Sequence, residues 1–154
     1  MMTEAMTGMM RKLKFLFLQT NHASSNMNGH QNHLEIIEKY ITAYNAFDTD
    51  EMLRNLHDDI YFENINDGQV NLQTKGIAEF KNQAEIAKQL FQKREQKILN
   101  MKFNDNIAEV QIEFTGILSD DPANGLQAGT AIRMTGDSVF VFNQAKIFRI
   151  TDRS

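Results

Sequence analysis

The stretch HDDIYFENINDG, His57 to Gly68, crowds a histidine, carboxylates and amides around a short apolar strand. A histidine beside carboxylates is the raw material of general acid–base catalysis. His57, Asp58 and Asp59 stand where a short helix is expected to end, and there such residues ordinarily cap and solvate. His57 is therefore a minor candidate base. Asn64 alternates with Ile60 and Phe62, so it shares their inner face and is suited to orienting a ligand. Tyr61 and Glu63 take the opposite face, toward solvent or a partner. Tyr40, on an apolar helix upstream, is a pocket-lining hydroxyl and a weak candidate acid. His30 and His33 are three apart, as metal ligands on one helix turn can be. No third ligand is fixed near them, and no metal or other cofactor is expected. No phosphate loop, nucleophile elbow or zinc motif occurs.

These groups sit in a chain of 154 residues with net charge −4 and no cysteine. The length suits one domain with a real core. Disulfides and thiolate metal sites are excluded. The absence of a basic stripe argues against nucleic acid, and no apolar run approaches the ~20 residues of a membrane span. A cytoplasmic location is expected. Residues 1–31 form a Met-rich stretch with a single acid, Glu4. They read as a poorly ordered extension, with the folded domain over 32–154. Its apolar run "FLFL" is shorter than a signal peptide needs.

From Asn32 the apolar spacing is helical. Leu34, Ile37, Ile41 and Tyr44 form one stripe, and Ile36, Tyr40, Ala43 and Phe47 adjoin it, which predicts a well-buried helix. Asn32 with Glu35 resembles a capping box, and Asp48 with Glu51 opens a short second helix. Ile60 to Asn64 and Val70 to Thr74 read as strands joined by the "NDG" turn. Ile77, Phe80, Ala84, Ala87 and Phe91 predict a third helix to about Gln92. "KQLFQKREQK" reads as its exposed end. Strands follow over Leu99–Phe103, Ala108–Phe114, Thr130–Phe142 and Ile147–Asp152, with Gly136 a bend or bulge and "SDDPANG" a loop. Early helices and late strands imply an α+β fold, helices on one face of a curved antiparallel sheet. A bent sheet closed by helices leaves a hollow near its open end. Val139–Phe142, "VFVF", is apolar on both faces, so a homodimer through the outer sheet face is expected.

The segment "EKYITAYNAFDTDEMLRNLHDDIYFEN", with "KGIAEF" and "VFVFNQAKI", resembles the nuclear transport factor 2-like superfamily, and most closely its SnoaL-like and ketosteroid isomerase-like branch. The resemblance spans about Leu34 to Asp152. It implies a cystatin-like cone, a strongly curved antiparallel sheet around three helices in the N-terminal half, commonly dimeric. It also implies roles for particular residues. Tyr40 matches the oxyanion-donating tyrosine of ketosteroid isomerases. Asn64 occupies the place of their aspartate base, and a carboxamide cannot abstract a proton at neutral pH. Their second, protonated acid falls near Ser138, with Asp137 adjacent but on the opposite strand face. Phe62 and Asn64 occupy the tyrosine–asparagine pair of limonene epoxide hydrolases without its tyrosine, and Thr135 stands two after Arg133 where their aspartate is wanted. For the single acid/base of SnoaL-type cyclases, Asp137 is the best candidate.

The resulting expectation is a protein that holds a small, mostly apolar molecule in the cone. Tyr40, Leu56, Phe62, Asn64, Ser138 and Phe140 would line the cavity. Its rivals are an isomerase, cyclase or hydratase acting on a polyketide- or steroid-like ring, and an association module with a filled cone. An ionisable group aimed into an open hollow favours the enzyme.

Overall fold

The apolar stripes after Asn32 are carried by helix α1 (Ser24–Asn45) in a computed structural model, which describes residues 24–119 and 127–154. Leu34, Ile37, Tyr40 and Ile41 are buried in the core. The helix begins at Ser24, so Asn32 lies within it and caps nothing. Residues 1–23 and most of the "SDDPANG" loop lie outside the described residues. His30 and His33 also belong to α1, where their rings stack on Phe103 and Phe142 at 5.2 and 3.9 Å. Stacking on sheet aromatics accounts for the spacing that suggested metal ligands.

The helix closes with the amide of Asp48 on the carbonyl of Ala43 and that of Phe47 on Tyr44. This ending needs one left-handed residue, ordinarily glycine. Here it is Phe47, φ 58°. Asp48 then caps α2 (Thr49–Arg54), its carboxylate accepting from the Glu51 amide at 3.1 Å.

Six strands form one sheet: β1 (Leu56–Asn66), β2 (Gln69–Lys75), β3 (Phe91–Asn104), β4 (Ile107–Leu118), β5 (Ala131–Asn143) and β6 (Lys146–Arg153), in the order β2-β1-β6-β5-β4-β3. Helix α3 (Ile77–Lys88) lies between β2 and β3 in sequence. The expected sheet was wholly antiparallel; the observed one is mixed, because β6 returns beside β1 in parallel. The "NDG" turn takes positive φ at Asp67 and Gly68, the conformation of a tight hairpin that matches strand twist. Register shifts at Asn64/Ile65, Ile98/Asn100 and Val141/Phe142 mark bulges that bend the sheet.

Three further boundaries differ from the sequence reading. Strand β1 starts at Leu56, so His57 to Asp59 are strand residues and not a helix end. Helix α3 stops at Lys88, and "KQLFQKREQK" is mainly the start of β3. Gly136 is no bulge: it pairs in register with Ile112. A Cβ there would come within 2.3 Å of the Arg153 carbonyl oxygen, so the close approach of β6 explains the glycine.

The core lies between the inner sheet face and the helices, with Ile60, Ile98, Val110, Phe140, Ile147 and Ile150 fully buried. The outer face carries cross-strand charges. Glu63, expected to meet solvent or a partner, is only 9% exposed. Its carboxylate receives bonds from Arg149 at 2.9 Å, Thr151 at 3.1 Å and Tyr61 at 3.3 Å. The Arg149 bond, followed by those of Thr151 and Tyr61, outweighs burial and lowers its pKa. Neighbours on its own face wrap it.

Candidate functional site

Register fixes the site. Asn64 on β1 pairs with Asp152 on β6, Asp152 with Ser138 on β5, and Ser138 with Val110 on β4. One row across the inner face therefore reads amide, carboxylate, hydroxyl, alkyl. The two positions at which the resemblance called for acids hold Asn64 and Ser138, and the carboxylate stands on the strand between them.

Ser138 Oγ donates to Asp152 Oδ1 at 2.6 Å. The carboxyl of Asp152 keeps some open surface, but that surface looks into the cone, with protein around it. Burial accordingly pushes its pKa up, against the pull of the Ser138 hydroxyl, to about 6. A carboxyl poised there exchanges a proton near neutral pH, as a general acid or base must.

Two adjoining hollows meet at this group, sharing Asp152, Tyr44 and Gln96. The first, of about 150 Å³, runs under α3 between Phe62, Phe80 and Ala84 on one side and Tyr40 and Arg94 on the other. The second, of about 330 Å³, opens past Asn64, Ser138 and Phe114. Tyr40 is held edge-on against Phe140, ring centroids 5.9 Å apart. Burial, then the Asp152 charge and Tyr44, raise its pKa well above the ordinary range, with Arg94 opposing. Burial also lifts Tyr44, to about 12, with Arg94 opposing and Asp152 adding. Both hydroxyls therefore stay protonated and act as donors.

Arg94 is 5% exposed. Its guanidinium carbon lies 3.7 Å from the Tyr44 ring centre and 4.6 Å from that of Phe47. Its Nε donates to the Tyr44 carbonyl at 2.9 Å. Phe47 thus tolerates a backbone region that costs a non-glycine residue about 1 kcal/mol, while its ring closes one side of the arginine. Two bonds between the Asn45 amide and the backbone of Gln96, at 2.8 and 3.2 Å, pin α1 to β3 beside it.

The residues singled out by sequence are distributed as follows. Tyr40 and Phe62 line the first hollow, Asn64 and Ser138 the second. Asn64 donates from Nδ2 to Asn71 Oδ1 at 2.8 Å, which fixes its amide. Leu56 and Phe140 pack in the core and line neither hollow. Asp137 is exposed on β5, at the rim of the second hollow. His57 points away, accepting on Nδ1 from the Asp59 amide at 3.0 Å and meeting Phe148 edge-on. Among the described residues, no three His, Asp or Glu side chains gather as metal ligands would.

Asp152, Arg94, Tyr44 and Gln96 were not foreseen as site residues. Asp152 had a readable signal: it shares the inner parity of Ile150 on the last strand. Arg94 was hidden by the bulge at Ile98/Asn100, which switches the inward parity from 94, 96 and 98 to 101 and 103. Counting back from Met101 puts the arginine on the wrong face.

Residues 37–150 match the model of the SnoaL-like domain family, and the chain belongs to that family. No curated protein sequence matches it. Among solved structures it is similar to a candidate polyketide cyclase from Xanthomonas campestris pv. campestris, at 19% identity and TM-score 0.67 over 80% of this chain and 90% of that one. A candidate SnoaL-like polyketide cyclase from Jannaschia sp. CCS1 gives 12% identity and TM-score 0.70 over 86% and 88%. An uncharacterized cystatin fold protein from Novosphingobium aromaticivorans gives 19% and 0.63 over 77% and 94%. At such identities the likeness carries the cystatin-like α+β fold. No helix of the described residues is long and apolar enough to cross a membrane.

Proposed function

We propose that the protein is a proton-transfer enzyme acting on a small carbonyl compound, with Asp152 as its acid/base. The observation that carries this is a buried carboxyl, its pKa raised to about 6, at the junction of two open hollows, the first mostly apolar and the second mixed. A pure binding pocket has no need of such a group, whose charge is costly to bury. A filled cone, the mark of an association module, is at odds with the open space beside Asp152.

In this reading the carbonyl oxygen of the substrate lies near Tyr40 or Tyr44, with the adjacent carbon against Asp152. The carboxylate takes a proton from that carbon. The electron pair moves onto the carbonyl oxygen, and a tyrosine hydroxyl donates to the resulting enolate. Asp152 then returns the proton to carbon, giving the isomer, or, when the enolate carbon has attacked a second carbonyl of the chain to form the ring bond, to the alkoxide left on that carbonyl's oxygen. Ring closure and isomerisation both use this step. The cyclase names borne by the fold neighbours favour ring closure of a short polyketide-like chain, and steroid-type isomerisation is the second reading. The hollow's size suits a molecule of one or two rings.

The test is hydrogen–deuterium exchange at the α carbon of small β-diketones in D2O, followed by NMR. The wild-type protein is expected to accelerate exchange, and Asp152→Asn to lose about 10²–10⁴ of that acceleration. An Asp152→Asn protein as active as wild type removes Asp152 as the acid/base.

A further inference from the structure

Arg94 has no role in the proton transfer proposed above, and it is an expensive residue to enclose. Among the described residues no carboxylate forms an ion pair with it; its one hydrogen bond of good geometry leaves from Nε, and a weaker side-chain contact joins the guanidinium to the Tyr44 hydroxyl. The guanidinium stays charged at any ordinary pH. The rings of Tyr44 and Phe47 both pack against it. Stacking satisfies the faces of a guanidinium and leaves the edge, where its Nη donors lie, for a planar acceptor. Arg94 borders the first hollow, and Tyr40 and Tyr44 each feel both its charge and that of Asp152. The tyrosines therefore lie between a cation and an acid/base.

We infer that the ligand of this hollow carries a carboxylate, received on the edge of the Arg94 guanidinium while its reacting carbon lies against Asp152. This deepens the proposed function and rests on the same site. A hollow of about 150 Å³ has room for a single small ring. The class it selects is thus a compact ring or ring precursor with an acid group at one end. Gln96, two residues along β3, and Gln83, across the hollow on α3, also line it and can donate to the second carboxylate oxygen. The backbone strain at Phe47 has its reason here, since that ring fixes the plane in which the guanidinium presents its donors.

Arg94 also borders a wider groove beyond α1, lined by Asn45, Phe47 and Arg133 and lacking Asp152 and both tyrosines. The experiment must separate the two. Isothermal titration calorimetry at pH 7.5 would compare benzoate with benzamide, its neutral isostere. Wild type is expected to bind benzoate at least about tenfold more tightly, the worth of a charge-assisted pair. Arg94→Met should abolish that preference and Arg94→Lys reduce it, because a point charge lacks the fork. Ala84→Trp, which fills the hollow from a half-buried position on α3, should remove benzoate binding. Asp152→Asn should retain it, so a wild-type protein that binds benzoate but accelerates no proton exchange, or an Asp152→Asn protein that exchanges as fast as wild type, defeats the catalytic reading alone. In wild type, an arginine Nε–H resonance that vanishes in Arg94→Lys should move on adding benzoate, a readout that does not require the Met variant to fold. Equal affinity for the two probes, no binding of benzoate, or a preference that survives Arg94→Met or Ala84→Trp would overturn the inference.

Discussion

Asp152 links stability and chemistry in one side chain. Its pKa is raised from the ordinary 3.8 to about 6 by burial. The folded protein therefore holds a proton that the unfolded chain releases between those values. Stability from this group is fully present below pH 3.8 and is lost as pH rises through 6. The whole shift corresponds to about 3 kcal/mol. Asp152→Asn keeps an acceptor for Ser138 and never ionises. It is expected to be more stable than wild type by about 1–3 kcal/mol at pH 8, a rise of several degrees in Tm, with the advantage gone at pH 4. Thermal melts of both proteins at the two pH values check this. Catalysis should run the other way: as base, Asp152 must be ionised, so kcat/KM for the exchange reaction should fall as pH drops through 6. A flat profile from pH 5 to 8 would remove the group from the rate-determining step. A more stable but inactive variant is the usual mark of a residue kept for function at the expense of the fold.

The elements explain why some of this was legible in the sequence and some was not. The stripes of α1 gave Tyr40 and its neighbours correctly, because a 3.6-residue period survives any tertiary context that buries one face. The "NDG" and "NQAK" turns were equally plain, since Asp67 and Gln144 take the positive φ that only a few turns demand. Strand β3 failed the same reasoning. Its first half is dense in charge, and a charged run beside a helix reads as that helix's solvated end. Only the tertiary partners Tyr44 and Phe47 reveal that Arg94 is wrapped by rings. Gly136 shows a related limit, for a glycine inside a strand signals either a bulge or a close approach. Its Cβ would meet a backbone carbonyl that cannot swing aside. Gly136→Ala is expected to cost about 1–3 kcal/mol, read as a lower denaturation midpoint at unchanged m-value. It should also displace β6 beside Asp152. A variant as stable as wild type would mean that β6 shifts freely and that the Asn64–Asp152–Ser138 row is not rigid.

At the scale of the molecule, the parallel pairing of β1 with β6 brings chain ends far apart in sequence into one row of side chains. No local pattern reports that pairing, which is why the fold class was readable from period and order while the acid/base was not. The same topology decides what the outer face can do. There Val139 and Val141 are half-buried beside the exposed Ile107, with Glu109 and the Glu63–Arg149 pair next to them and the Glu113–Arg133 pair, at 2.8 Å, farther along β5. The apolar part of this face is narrower than "VFVF" alone suggests, since Phe140 and Phe142 turn inward. A homodimer through it would be a polar interface with a small valine centre. Such an interface gains less from area than an obligate one and owes more to charge complementarity. It should therefore weaken with salt. Sedimentation velocity is expected to show a dimer at tens of micromolar in low salt and a shift toward monomer at about 0.5 M NaCl, where the Debye length falls to about 4 Å. Val139→Lys should give monomer in both conditions with the Asp152 titration unchanged, because the valine and the carboxyl lie on opposite faces of the sheet. A wild-type monomer at every concentration in low salt would end the case for pairing and leave the cone to work alone.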